Sequence, residues 1–160
     1  MTESSVSENI QQYWQKFLAQ CTPEQAAQYT SIPEAWGFGD NPQLADQLGS
    51  LVVQGIKTAT CGTVWEYEQD GEPMPKVGDL SIILDGNDQP MCIIETTEVR
   101  IIPFNEVDAQ FAYEEGEDNR TLESWRREHW KYFSRNATTE GQMKETMPLV
   151  CERFRLIWKE

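Results

Sequence analysis

Histidine is nearly missing from this sequence, with His129 the only one in 160 residues. The four cysteines, Cys21, Cys61, Cys92 and Cys151, lie far apart and form no CxxC pair. Zinc ribbons and fingers take four ligands in paired spacings, so both are excluded. There is no GxSxG elbow, so the usual sequence signature of an α/β-hydrolase nucleophile is missing too. No apolar run approaches the ~18–20 residues that cross a bilayer. The opening MTESSVSENIQQYW lacks the basic and then apolar stretches of a secretory signal. A cytoplasmic protein with reduced thiols and no membrane partner is the expectation.

Basic charge is scarce as well: 13 lysines and arginines face 27 acidic residues, for a net charge of −14. Such a chain is repelled by a polyanion at long range, so tight non-specific duplex binding is not expected. The imbalance is uneven. Residues 61–120 carry 3 basic and 15 acidic side chains, whereas residues 121–160 carry 8 and 6. Only this last quarter can face phosphate without penalty, so any nucleic-acid contact should be local.

What is present is a core. Hydrophobic residues make up 39% and aromatics 11%, with six tryptophans, which is too rich for a disordered chain. The length predicts a single domain over residues 8–160, with residues 1–7 as a flexible tail. Ile10, Tyr13, Trp14, Phe17 and Leu18 form one helical stripe, predicting a helix over Glu8–Gln20. Thr22-Pro23-Glu24-Gln25 reads as a capping box that opens a second helix. Asn41-Pro42 opens a third, with Leu44, Leu48, Leu51 and Val52 inside and Gly55 as its C-terminal cap.

The period then changes. Thr58–Glu68, Leu80–Leu84, Met91–Ile102 and Val150–Trp158 read as strands, with Asp85-Gly86-Asn87-Asp88 a hairpin turn. A short helix is predicted around Val107–Tyr113 and a longer one over Thr121–Arg135. Without strand–helix–strand alternation, the fold class is α+β: a small, mostly antiparallel sheet or barrel flanked by helices.

Three stretches carry candidate chemistry. Gly55-Ile56-Lys57-Thr58-Ala59-Thr60 puts an ammonium and hydroxyls just past a helix end. Together they can hold an anionic or carbonyl oxygen, or simply cap a helix and start a strand. It is not a P-loop, because Ile56 precedes the lysine and the strand-to-helix order is reversed. Glu114-Glu115-Gly116-Glu117-Asp118 sets four carboxylates in five residues. Mutual repulsion there favours a general acid or a cation, or the loop is merely solvated; no twelve-residue calcium spacing is present. On the last helix, Leu122, Trp125, His129, Tyr132 and Phe133 share a face with Arg126 at its edge. His129 reads either as a hydrogen-bonded core residue or as a catalyst. Arg127, Lys131 and Arg135 line the opposite face. Trp36, between glycine-rich neighbours, either stacks a base or caps the core.

These segments resemble the ASCH family of the PUA-like superfamily. The resemblance rests on the GxKxxT element at residues 55–60, on Val77-Gly78-Asp79 before a strand, and on Phe111-Ala112-Tyr113-Glu114-Glu115-Gly116-Glu117-Asp118 running on to Trp125 and His129-Trp130. It spans roughly residues 30–158. It implies a small PUA-like β-barrel flanked by helices, with a cleft beneath the GxKxxT loop; the amidohydrolase-like members are shorter and lack this N-terminal helical extension and the Trp125–Trp130 helix. Relatives are linked to RNA as binding modules, single-strand ribonucleases, or amidohydrolases that remove acyl groups from N4 of cytidine.

Carried over by position, the resemblance implies Lys57, Thr60 and Glu115 as catalytic residues, with Glu114 and Glu117 as neighbouring alternatives to Glu115. Gly55, Thr58, Trp36, Arg126 and His129 are expected around the substrate, and no metal or cofactor is expected. In this reading Thr60 attacks an amide carbonyl, Lys57 takes its proton and a protonated Glu115 donates to the leaving amine. A second route has Lys57 and Glu115 activate water directly. The expected activity is hydrolysis of an amide on a modified nucleoside. Its alternatives are a single-strand ribonuclease and a non-catalytic module that binds RNA or senses nucleotides, so the expected partner is a nucleoside or single-stranded RNA.

Overall fold

A computed structural model describes residues 7–160; the tail expected over residues 1–7 lies outside the described residues but for Ser7, which is the N-cap of the first helix. The described chain is α+β, with six α-helices and a five-stranded sheet of order β1-β3-β4-β5-β2. Helix α1 (Glu8–Gln20) and α2 (Pro23–Gln28) precede β1 (Glu34–Trp36), and α3 (Pro42–Val53) follows. Next come β2 (Ala59–Thr63), α4 (Val64–Asp70), β3 (Leu80–Leu84) and β4 (Pro90–Pro103). Helices α5 (Ala109–Glu115) and α6 (Leu122–Asn136) and strand β5 (Pro148–Trp158) complete the order. No helix among the described residues is long and apolar enough to cross a membrane.

The chain groups into two compact units. One comprises residues up to Val53, Leu80–Ile94 and Leu156–Glu160; the other comprises Gln54–Asp79 and Glu95–Arg155. In the first, the predicted stripe of α1 buries Ile10, Tyr13, Trp14 and Phe17 against Ile82, Leu84 and Ile93. Helix α2 carries its capping box, with Gln25 N donating to Thr22 Oγ1 and Thr22 N to Gln25 Oε1. Trp36 belongs to β1, parallel to β3 with Trp36 opposite Ile83, and its ring meets Phe38 edge-on at 4.7 Å. The glycine-flanked loop read there from sequence is therefore a short strand that finds its partner 47 residues on.

The second unit holds Phe104, Val107, Phe111, Trp125, Phe133, Leu149 and Cys151 as its core. The strand predicted over Thr58–Glu68 stops at Thr63. Its valine, tryptophan and tyrosine content favours a strand, but Thr63-Val64-Trp65-Glu66 is a capping pattern of the Thr-x-x-Glu kind. Glu66 N donates to Thr63 Oγ1 at 3.3 Å and Thr63 Oγ1 donates to Glu66 Oε1 at 2.9 Å, opening α4. Gly71, left-handed at φ 66°, ends it. Strand β2 pairs antiparallel with β5, Ala59 opposite Arg153 and Cys61 opposite Cys151.

Candidate active site

Lys57 leaves the turn after α3 and runs into the interior just before β2. Side chains alternate along an extended chain, so Lys57, Ala59 and Cys61 share one side. The lysine is 1% exposed. Its Nζ donates to Ala59 O at 2.8 Å, Glu115 Oε1 at 2.9 Å and Glu117 Oε2 at 2.8 Å, with Glu115 O at 3.4 Å. Three ammonium protons thus meet one carbonyl and two carboxylates.

Glu115 arrives because α5 ends on it. Gly116 takes a left-handed φ of 73°, the usual helix terminator. A Cβ there would lie 2.7 Å from Ile56 O, so only glycine lets this helix end come so close to the Lys57 turn. Thr58 N donates to Glu114 O at 2.8 Å and Arg120 Nη2 to Ile56 O at 3.4 Å, sealing the contact. Gly116→Ala is expected to cost more than ~1 kcal/mol, because the methyl opposes both φ and space. Urea denaturation measures it, and an unchanged midpoint would refute this packing argument.

Glu115 is 1% exposed. Its Oε2 accepts from Trp125 Nε1 at 2.7 Å and Cys61 Sγ at 3.2 Å, and His129 Nε2 lies 3.3 Å away. Burial favours its neutral form, but the Lys57 ammonium and then His129 outweigh it and hold the carboxyl well below the usual range. For Lys57, burial works against the charge, yet Glu115 and then Glu117 win and raise it above an ordinary lysine. His129 follows the same logic: burial lowers it, and the charge and hydrogen bond of Glu115 raise it further. The Cys61 thiol is pushed well up by burial and then by Glu115. Glu117, at 27% side-chain exposure, is the member nearest solvent.

The resemblance-based residues divide on this geometry. Lys57, Glu115 and His129 converge. Glu114 turns away, pairing with Arg153 and accepting from Gln110 at 2.7 Å. Thr58 holds the loop through its backbone N–H, and Gly55 supplies a left-handed turn at φ 79° without touching the cluster. Arg126 donates to the Asn105 and Val107 carbonyls at 3.1 Å each and so pins α6. Trp36 belongs to the other unit. Arg127 pairs with Asp118 and Glu128, and Lys131 with Glu128.

Thr60 is not brought to Lys57. As the neighbour of Ala59 and Cys61 it projects from the opposite side of β2, opposite Glu152 on β5. Nor can the lysine act as the expected base, since two carboxylates keep it protonated. Sequence reasoning also missed Cys61 and Trp125. Alternation from Lys57 marks the first, and the i, i+4 spacing to His129 marks the second.

On the Thr60 side, Glu152 accepts from Thr96 Oγ1 at 3.4 Å. Burial pushes its carboxyl up to about 7; the Thr96 hydrogen bond lowers it and Asp79 adds to the rise. The folded state therefore holds this proton more tightly than the unfolded chain. The resulting stability is complete below pH 4.5 and is lost as pH climbs through about 7. The loss is on the order of 3 kcal/mol. Glu152→Gln should flatten stability across that window and leave the variant more stable than wild type at pH 8. Urea melts at both ends check this; parallel curves would rule it out.

A sheet of this order with a buried lysine–carboxylate cluster below the turn into β2 defines a PUA-like domain. The family model described as the ASCH domain matches residues 34–158, so the chain belongs to the ASCH family. It is similar to the ASCH domain structure from Lactobacillus crispatus JV V101, at 30% identity, TM-score 0.87 and 98% coverage of each chain. It is also similar to a DUF984 protein from Enterococcus faecalis V583, at 38% identity, TM-score 0.81 and coverage of 94% of this chain and 88% of that one. No curated protein matches.

Proposed function

We propose that this ASCH domain is a hydrolase that cleaves the amide of a modified nucleoside of the N4-acylcytidine type. The observation that carries the reading is the buried Lys57 ammonium held between Glu115 and the partly exposed Glu117. An incoming amide oxygen takes the place of Glu117 on Nζ, so the ammonium faces the oxygen on which negative charge develops. The released Glu117 carboxylate takes a proton from water as the water oxygen bonds to the carbonyl carbon. That proton passes to the exocyclic nitrogen as the C–N bond breaks, leaving cytidine and a carboxylic acid, which ionises in solution. Glu115 remains on Lys57 and fixes it. This is the water route, and Thr60 takes no part in it.

The net charge of −14 also supports an uncharged substrate over an RNA strand. Arg126, Arg127 and Lys131 of α6, which would serve a ribonuclease or an RNA-binding module, pair with carbonyls and carboxylates of this unit. Incubation with N4-acetylcytidine should release cytidine, with Thr60→Ala as active as wild type. Absence of turnover by wild type, or its loss in Thr60→Ala alone, would overturn the proposal.

A further inference from the structure

We propose that Cys61, Glu115 and His129 form a binding site for one divalent transition-metal ion of the zinc class. The Cys61 thiol sulfur, a Glu115 carboxylate oxygen and a His129 ring nitrogen all lie within 4.8 Å of one another. The separations from Glu115 Oε2 are 3.2 Å to Cys61 Sγ and 3.3 Å to His129 Nε2. Ligands ~2.0–2.3 Å from a tetrahedral ion lie roughly 3.3–3.5 Å from each other, so the two edges at Glu115 are close to that length.

The surrounding groups hold these donors in the orientation a metal requires. His129 Nδ1 lies 2.8 Å from Trp125 O. A carbonyl only accepts, so Nδ1 carries the hydrogen and Nε2 is the atom turned toward Glu115. That backbone-anchored tautomer is the usual support of a metal-bound histidine. The imidazole also stacks on Trp125, with centroids 4.3 Å apart and planes at 18°. Glu115 is fixed through Lys57 on Oε1 and Trp125 Nε1 on Oε2.

The metal-free arrangement is crowded at one atom. Trp125 Nε1, Cys61 Sγ and His129 Nε2 all converge on Oε2, which has two lone pairs. A divalent ion relieves this by taking the place of the Cys61 thiol proton and by coming between His129 Nε2 and Glu115 Oε2. Thiolate and imidazole select a zinc-like ion over magnesium or calcium. Three protein ligands leave a fourth position open. Ligand spacing in the sequence gave no hint of this, because the donors come from a strand, a helix end and a mid-helix position.

The site does not depend on the proposed hydrolysis, and its test reads metal rather than turnover. Reduced, metal-stripped protein is titrated with Co²⁺ while near-ultraviolet and visible absorption are followed. One equivalent should bind, producing a thiolate-to-cobalt charge-transfer band and tetrahedral d–d bands that Zn²⁺ then abolishes. Cys61→Ser should remove the charge-transfer band, and His129→Gln should weaken binding roughly tenfold or more. Cys151→Ser should retain the band. An unchanged aqueous-cobalt spectrum with wild type would overturn the proposal, as would a charge-transfer band that survives Cys61→Ser. Both outcomes are read without any nucleoside, so neither bears on the amide reaction.

Discussion

Lys57→Met is expected to destabilise the protein by about 3–5 kcal/mol, the usual cost of removing one partner from a buried ion pair. Methionine fills much of the same space, so the loss comes from charge and not from a cavity. Glu115, 1% exposed, would be left without the ammonium that its carboxylate faces. Adding Glu115→Gln to Lys57→Met should recover part of the loss, since both members are then neutral; the double-mutant cycle isolates the coupling. Urea midpoints of the four proteins measure it. A Lys57→Met variant within about 1 kcal/mol of wild type would mean the pair is not a buried ionic unit. The same variant should have no N4-acetylcytidine turnover, because nothing remains to face the carbonyl oxygen.

Glu117→Gln should reduce kcat roughly 10²–10⁴-fold, the range associated with a positioned general base. Glutamine keeps the size of the side chain and an oxygen that can accept from Lys57 Nζ, now 2.8 Å from Glu117 Oε2. What it lacks is the capacity to take a proton from water. Stability should change little, because Glu115 still balances the lysine. Paired urea melts and turnover assays separate the two effects. Wild-type kcat in this variant would remove Glu117 from the chemistry and move the water-activating role elsewhere.

The elements that were legible from sequence are those with a strong local period or cap. Helix α1 matches its predicted Glu8–Gln20 span because its apolar stripe has no competing pattern. The expected helix over Thr121–Arg135 forms as Leu122–Asn136, with Thr121 as its cap and Trp125 and Phe133 buried. The misreadings lie where composition and local hydrogen bonding disagree. Residues beyond Thr63 have strand-like side chains, yet the Thr63–Glu66 cap turns the chain into a helix. Trp36 shows no period at all, because a three-residue strand is too short to have one.

The site was half legible for a related reason. The resemblance implies that Lys57 and Thr60 act together, a pairing that residues three apart make on a helix but not on a strand. In the extended chain that forms here, the lysine shares a side with Cys61, and Thr60 looks toward Glu152.

The sequence by itself determined where the helices α1, α2, α3 and α6 begin, the acidic balance of the middle of the chain, and that a lysine would follow the turn after α3. Only the tertiary structure decided which of the clustered glutamates meets that lysine. Neighbouring residues on a helix point about 100° apart, so Glu114 reaches Arg153 while Glu115 turns inward to Lys57. That choice depends on which face of α5 is packed and on how closely Gly116 approaches Ile56, and both are long-range facts. A linear spacing records neither, because buried charges select their partners only after the backbone has brought them together.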